Sequence, residues 1–237
     1  MVSRIRIALD GPAGSGKSTV AKGVAQKLNY IYIDTGAMYR AVTLKALENH
    51  IPVDDPEKLT RMVQDTEIDL SYERKGDQSV LHVFLDGRDV SEAIRGLEVT
   101  ANVSPVAAVA GVRQALVAMQ RKMAEKGGVV MDGRDIGTVV LPQAELKVFL
   151  TASVAERGRR RWLELREKNI EVDLAEIIEQ IEKRDYYDSH REVDPLRRAE
   201  DAVLVDTTDM TKEEVIDYIV KLALERGARI ETGCSDT

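Results

Sequence analysis

Cysteine is nearly absent from this chain: its 237 residues include one, Cys234, in a polar tail. Neither an intrachain disulfide nor a cysteine metal cluster is therefore available. Long apolar runs are missing as well; none approaches the ~20 residues that cross a bilayer, so no membrane partner is expected. The N-terminus holds no secretory apolar core or cleavage site, because Arg4, Arg6 and Asp10 interrupt its short apolar stretch. Positive charge is in deficit, with a net charge of -7, which argues against a nucleic-acid partner. Internal repeats and low-complexity tracts are lacking too. What remains is the make-up of an ordinary globular protein, 43% hydrophobic and 32% charged, long enough for one main domain and a smaller insertion. A cytoplasmic enzyme is the expected class.

The apolar pattern changes period along the chain. Ile5, Ile7 and Leu9 alternate as in a strand, and Gly11-Pro12 marks a turn. From Ser18 onward Ala21, Val24, Ala25 and Leu28 form a helical stripe. Tyr30 to Ile33 reads as a second strand, followed after Asp34-Thr35-Gly36 by a helix toward Glu48. Such an order begins an α/β unit with a parallel sheet. Ile68 to Ser91 is hairpin-like instead, with a polar turn at Glu73-Arg74-Lys75-Gly76-Asp77, and reads as an insertion over a ligand cleft. One long helix is expected from about Pro105 to Glu125. Val129 to Met131, Leu146 to Leu150 and Val203 to Val205 are the later core strands, with helices near 154–166, 174–189 and 212–225. The expected organisation is one domain over 1–225, with an insertion at 63–103 and a short lid at 154–168, then a frayed tail over 226–237.

Gly11-Pro12-Ala13-Gly14-Ser15-Gly16-Lys17-Ser18 fits G-x-x-x-x-G-K-[ST] without deviation. Glycines let successive backbone N–H groups turn toward an anion. Lys17 supplies a point charge for β- and γ-phosphates, Ser18 a Mg²⁺ ligand, and the following helix its N-terminal amides. Four constrained positions would arise by chance in roughly one chain of this length in a hundred, and here they also join a strand to a helix. Nucleoside triphosphate binding follows, but GTPase switches, motors and small-molecule kinases all share that property.

A second set of charges narrows the choice. Asp132, in Met131-Asp132-Gly133-Arg134-Asp135, ends an apolar strand and suits Mg²⁺ coordination through water. Arg134 and Asp135 stand at the same rim, where a surface salt bridge is the alternative reading. Leu174, Ile177 and Ile181 define an inward helical stripe whose continuation is Arg184, Asp188 and Arg191. A stripe that turns from apolar to charged on one face either enters a polar cavity or runs out into solvent. Arg113 borders an apolar flank, as a ligand or as a snorkelling side chain. Six basic residues, Arg157, Arg159, Arg160, Arg161, Arg166 and Lys168, crowd the stretch from Glu156 to Lys168. One triphosphate does not need so many cations; two phosphorylated ligands do. A phosphate acceptor also removes the need for a general base, since its oxygen is already anionic.

Four segments together carry a family resemblance. They are Gly11 to Thr19, Tyr32-Ile33-Asp34-Thr35-Gly36-Ala37-Met38-Tyr39-Arg40, Asp132 to Val140 with its Gly-Arg-Asp core, and Arg184-Asp185 through Asp188-Ser189 and Arg191. Over about residues 4–225 the chain resembles the bacterial cytidylate kinases. The resemblance implies a three-layer P-loop NTPase fold with a parallel sheet core, a small β-rich insertion and a short arginine-rich lid. It implies transfer of the γ-phosphate of ATP to CMP or dCMP, with Mg²⁺, by a monomer. Gly11 to Thr19 with Arg157, Arg160 and Arg161 would hold ATP, and Ser18 and Asp132 the metal. Ser104, Arg113 and Asp135 would recognise cytosine; Arg40, Arg134 and Arg191 would hold the acceptor phosphate. Arg184 and Asp188 would engage sugar and phosphates, and Lys17, Arg134, Arg184 and Asp188 would be catalytic. A P-loop kinase for another monophosphate is the nearest alternative. A regulatory switch would need a guanine-selecting N-K-x-D segment, which is absent.

Overall fold

The computed structural model describes residues 4–75, 78–167 and 169–230. Gly76 and Asp77 of the polar turn, Lys168 of the basic stretch, Cys234 and tail residues 231–237 lie outside the described residues. The chain forms two compact units, one of residues 1–32 and 124–237, the other of residues 33–123.

The first unit is built on a parallel sheet. Its strands are β1 (Arg6–Asp10), β2 (Ile31–Asp34, which crosses into the second unit), β6 (Val129–Gly133), β7 (Leu146–Thr151) and β8 (Val203–Asp206), in the order β2-β6-β1-β7-β8. β1 pairs in parallel with β6 on one side and β7 on the other, and β8 adds to β7. Every residue of β6 is buried, as expected of a strand covered on both faces. β1 is the point where the winding reverses, and ligands of open α/β sheets bind outside the carboxyl ends of strands there. Helices α1 (Lys17–Leu28) and α8 (Lys212–Glu225) pack together. α8 starts with a capping box between Thr211 and Glu214. It closes where the Ala228 N–H donates to the Ala223 carbonyl, so residues 226–228 are tied to the helix end. α6 (Val154–Glu167) and α7 (Leu174–His190) form an adjacent helical pair.

The second unit holds α2 (Thr35–Glu48), α3 (Pro56–Gln64), α4 (Leu97–Ala108), α5 (Ala110–Met123) and an antiparallel sheet of β3 (Ile68–Lys75), β4 (Gln78–Leu85) and β5 (Arg88–Asp89). Pairing of Ile68 with Leu85 and Leu70 with Val83 sets the hairpin register. The single helix expected from Pro105 to Glu125 is a correction. Two helices meet at Val109, whose ψ of 119° leaves the helical region. At the break Arg113 Nη1 donates to the Ala107 carbonyl at 3.2 Å, which satisfies a carbonyl at the end of α4 as basic side chains commonly do.

Candidate active site

Gly11, Gly14 and Gly16 have φ of 149°, 73° and 84°, a region that costs an L side chain strain. A Cβ on Gly11 would also lie 2.0 Å from the Leu150 carbonyl oxygen. The loop is thus seated against the end of β7 before α1 begins. Lys17 is buried, and its Nζ donates to the Pro12 carbonyl at 2.6 Å and to Ser15 Oγ at 3.3 Å. Burial holds this ammonium well below the usual lysine range; Arg134 and Arg184 push the same way, while Asp132 and Asp10 oppose them. A phosphate placed here would favour the charged form again.

The carboxylates come from the ends of β1 and β6. Ser18 Oγ and Tyr32 Oη donate to the two oxygens of buried Asp132, each at 2.8 Å. A hydroxyl and a carboxylate side by side are hard oxygen donors of the kind Mg²⁺ takes, with phosphate and water completing its shell. Among the described residues no three acidic, histidine or cysteine side chains cluster as a metal cage. Asp10 accepts the N–H groups of Ile136 at 2.8 Å and Gly137 at 2.7 Å. These open a π-helical turn, Ile136–Val140, directly after Arg134 and Asp135. Burial pushes Asp10 up to about 6, against the opposing pull of those two hydrogen bonds.

The charged continuation of the α7 stripe turns into the protein at Asp188 and Arg191, while Arg184 is half-exposed. Ile177, Ile181 and Asp188 are buried on one face. Arg134 Nε donates to Asp188 Oδ2 at 2.8 Å, and Arg184 Nε stands 4.0 Å from the same oxygen. Arg191, just past the helix, lies 3.5 Å from Asp135, with the two side chains only 5% and 6% exposed. Burial alone would raise Asp188, but Arg134, Arg184 and Arg191 hold it below the usual carboxylate range. Arg134, Asp135, Arg184, Asp188 and Arg191 therefore form one group in which three guanidinium forks surround two carboxylates. Such forks bind a dianionic phosphate in a bidentate manner.

The arginines of the segment expected to be a lid divide. Arg157 is buried, with Nε donating to the Ala152 carbonyl and Nη1 to Ala13 O and Asp185 Oδ2. Arg160 donates to Glu156 and to Thr207 beyond β8, and its Nη1 lies 3.9 Å from where a Gly16 Cβ would be. Arg161 is exposed and pairs with Glu164.

Three expected ligands belong to the second unit. Arg40 pairs with Asp34 at 3.3 Å, and Asp34 also caps α2 by accepting the Ala37 N–H. Arg113 is 2% exposed, with its guanidinium 5.7 Å from the Tyr39 ring centre. Ser104 is half-buried on α4. Arg113 therefore has a structural duty as well as the expected one.

The sequence assigns no role to Asp10, Tyr32 or Asp185, although Tyr32 and Asp185 fall within segments that carry the resemblance. A charge ending the strand before the loop was the available signal for Asp10, and a polar tip on an otherwise apolar strand was the signal for Tyr32.

The cytidylate kinase family model matches residues 7–225. The cytidylate kinase of Desulforamulus reducens is 59% identical over 214 residues, which cover 90% of this chain and 94% of that protein. The cytidylate kinase of Bacillus subtilis is 51% identical, covering 97% and 100%. Among solved structures, an uncharacterised protein from Eubacterium ventriosum shares the fold, with a TM-score of 0.51 and 13% identity over 94% of this chain and 99% of that one. With the family model matched over residues 7–225 and more than half of the aligned residues identical to these relatives over nine-tenths of the chain or more, the chain belongs to the cytidylate kinase family.

Proposed function

We propose that the protein transfers the γ-phosphoryl group of ATP to CMP and dCMP, giving ADP and CDP or dCDP. The observation that carries this reading is the group of Arg134, Arg184 and Arg191 around buried Asp135 and Asp188, in the unit that also holds the phosphate loop. One nucleotide accounts for the loop, and a second phosphorylated ligand accounts for the arginines.

In this reading the loop from Gly11 to Thr19 holds the donor phosphates, and Lys17 leaves the Pro12 carbonyl to meet them. Arg160, already facing the loop, adds donor-side charge. Ser18 and Asp132 would hold Mg²⁺, which supplies charge neutralisation on the donor phosphates. The acceptor oxygen is anionic, so the protein aligns and neutralises and abstracts no proton. Arg134 and Arg191, with Arg40, take the acceptor phosphate. Asp188 orients Arg134 and Arg184 and offers its remaining lone pairs to the sugar. Asp135 accepts from the cytosine amine, and Ser104 and Arg113 serve the rest of the base edge. Uracil presents an oxygen where cytosine presents the amine, and a carboxylate cannot donate to it.

Among the described residues no helix is long and apolar enough to cross a membrane, and we read the enzyme as a cytoplasmic monomer, which sedimentation at micromolar concentration tests. The deciding assay is ADP release with ATP and, in turn, CMP, dCMP, UMP, AMP and GMP. CMP and dCMP should give the highest kcat/KM. Equal or better use of a purine monophosphate would overturn the assignment.

A further inference from the structure

Asp185 sits on α7 one residue past Arg184 and has no part in the acceptor group described above. Its two oxygens are split between the phosphate loop and α6. Oδ1 accepts the N–H of Ala13 at 3.1 Å, and Oδ2 accepts from Nη1 of Arg157 at 2.5 Å. The same Arg157 Nη1 donates to the carbonyl of Ala13 at 2.8 Å, while Arg157 Nε is fixed on the Ala152 carbonyl at 3.0 Å. One residue of the loop is therefore gripped at both its N–H and its C=O. Arg157 is almost fully buried and Asp185 half-buried. A Cβ on Gly14 would lie 3.2 Å from Arg157 Cβ, so the loop also rests on the backbone of α6 at its next residue.

We propose that Asp185 and Arg157 are a positioning pair that sets the shape of the phosphate loop and so the affinity for the donor triphosphate. An anion nest works only when successive amides are held at the right turn. Engaging both polar groups of Ala13 from outside leaves the amides from Gly14 onward to face the phosphates. A glycine-rich loop without this grip would have to be ordered by the ligand, which lowers affinity by the cost of ordering. Neither side chain reaches the ligand in this role: each acts through the backbone of Ala13. Because α7 also carries Arg184 and Asp188, the pair joins these two residues to the donor loop through one helix.

The inference rests on the donor role proposed for the loop, and binding tests it separately from turnover. Kd for a non-hydrolysable ATP analogue with Mg²⁺, and Kd for CMP, are measured by calorimetry for wild type, Asp185→Asn, Arg157→Gln and the double variant. In Asp185→Asn the introduced amide cannot accept from both Ala13 and Arg157 through separate oxygens, so analogue Kd should rise about tenfold or more while CMP Kd stays within about threefold. The double variant should bind the analogue no worse than the weaker single one, since the two residues act as one unit. Equal weakening toward both ligands, or unchanged analogue affinity, overturns the proposal. If Asp185→Asn does not fold, Arg157→Lys is read by the same criterion, because an ammonium keeps the charge but cannot span all three acceptors. Wild type that binds the analogue and yet fails to phosphorylate CMP would refute the proposed reaction and leave this pair standing.

Discussion

Asp10→Asn should change how stability depends on pH more than it changes stability itself. The carboxylate is buried at the end of β1, with one backbone N–H on each oxygen. Burial still wins, and Asp135 adds to it, so the group titrates near 6 and not 3.8. Keeping it ionised at neutral pH then costs about 3 kcal/mol. The sign follows from proton uptake: between 3.8 and 6 the native state holds a proton that the unfolded chain has released. The contribution is thus most favourable below about pH 4 and is lost as pH rises through about 6. Asparagine removes that titration. It also sets an NH₂ against one of two N–H groups, which costs about 1–3 kcal/mol at every pH. The two effects nearly cancel at about pH 7, so the variant should unfold there within a few degrees of wild type. Urea unfolding from about pH 3.5 to 7.5 gives the difference between the two proteins. That difference should move in favour of the variant by about 3 kcal/mol, mostly between about pH 4 and 6.5. Parallel curves would refute the reasoning. Activity should fall regardless, by about 10–100-fold, because the turn that Asp10 anchors follows directly on Arg134 and Asp135.

Two further substitutions separate chemistry from folding. Lys17→Ala should lower kcat by at least about 100-fold, since a charge aimed at the transferred phosphoryl group is lost. Its thermal midpoint should hold or rise, because the ammonium is buried among arginines, and a large fall in the midpoint would count against that view. Asp135→Ala should cost about 1–3 kcal/mol in kcat/KM for CMP and much less for UMP. An unchanged ratio between the two acceptors, measured at saturating ATP, would move Asp135 from base recognition to support of Arg191 alone.

Periodicity made most of the framework legible. The strands of the parallel sheet and the helices at 154–167, 174–190 and 212–225 follow directly from where apolar residues recur. The arginine–carboxylate group was also visible, because Arg184, Asp188 and Arg191 prolong a stripe set by Ile177 and Ile181. The break at Val109 was not. Both flanking segments are helical and apolar, Pro105 lies inside α4 and not at the break, and the carbonyl cap comes from a side chain six residues from Ala107. α3 was passed over because only Leu59 and Val63 are buried, too few to register as a stripe, although Asp55-Pro56 is a sound start signal. Asp10 and Asp185 were missed for a common reason. Each acts on backbone N–H groups more than 120 residues away, and nothing in a local pattern marks that distance.

The central place of β1 has a consequence for the ribosome. The phosphate loop is made well before the strands that seat it: Gly11 rests on Leu150, and β1 pairs with strands that start at Val129 and Leu146. At ordinary elongation rates of about 5–20 residues per second, its neighbours follow on the order of ten seconds later. Through that interval the nascent chain carries the complete G-x-x-x-x-G-K-S signature but no surface that could capture a nucleotide. Triphosphate can therefore favour folding only after β7 has emerged, and a truncated product ending before Leu146 would withdraw no nucleotide from the cellular pool.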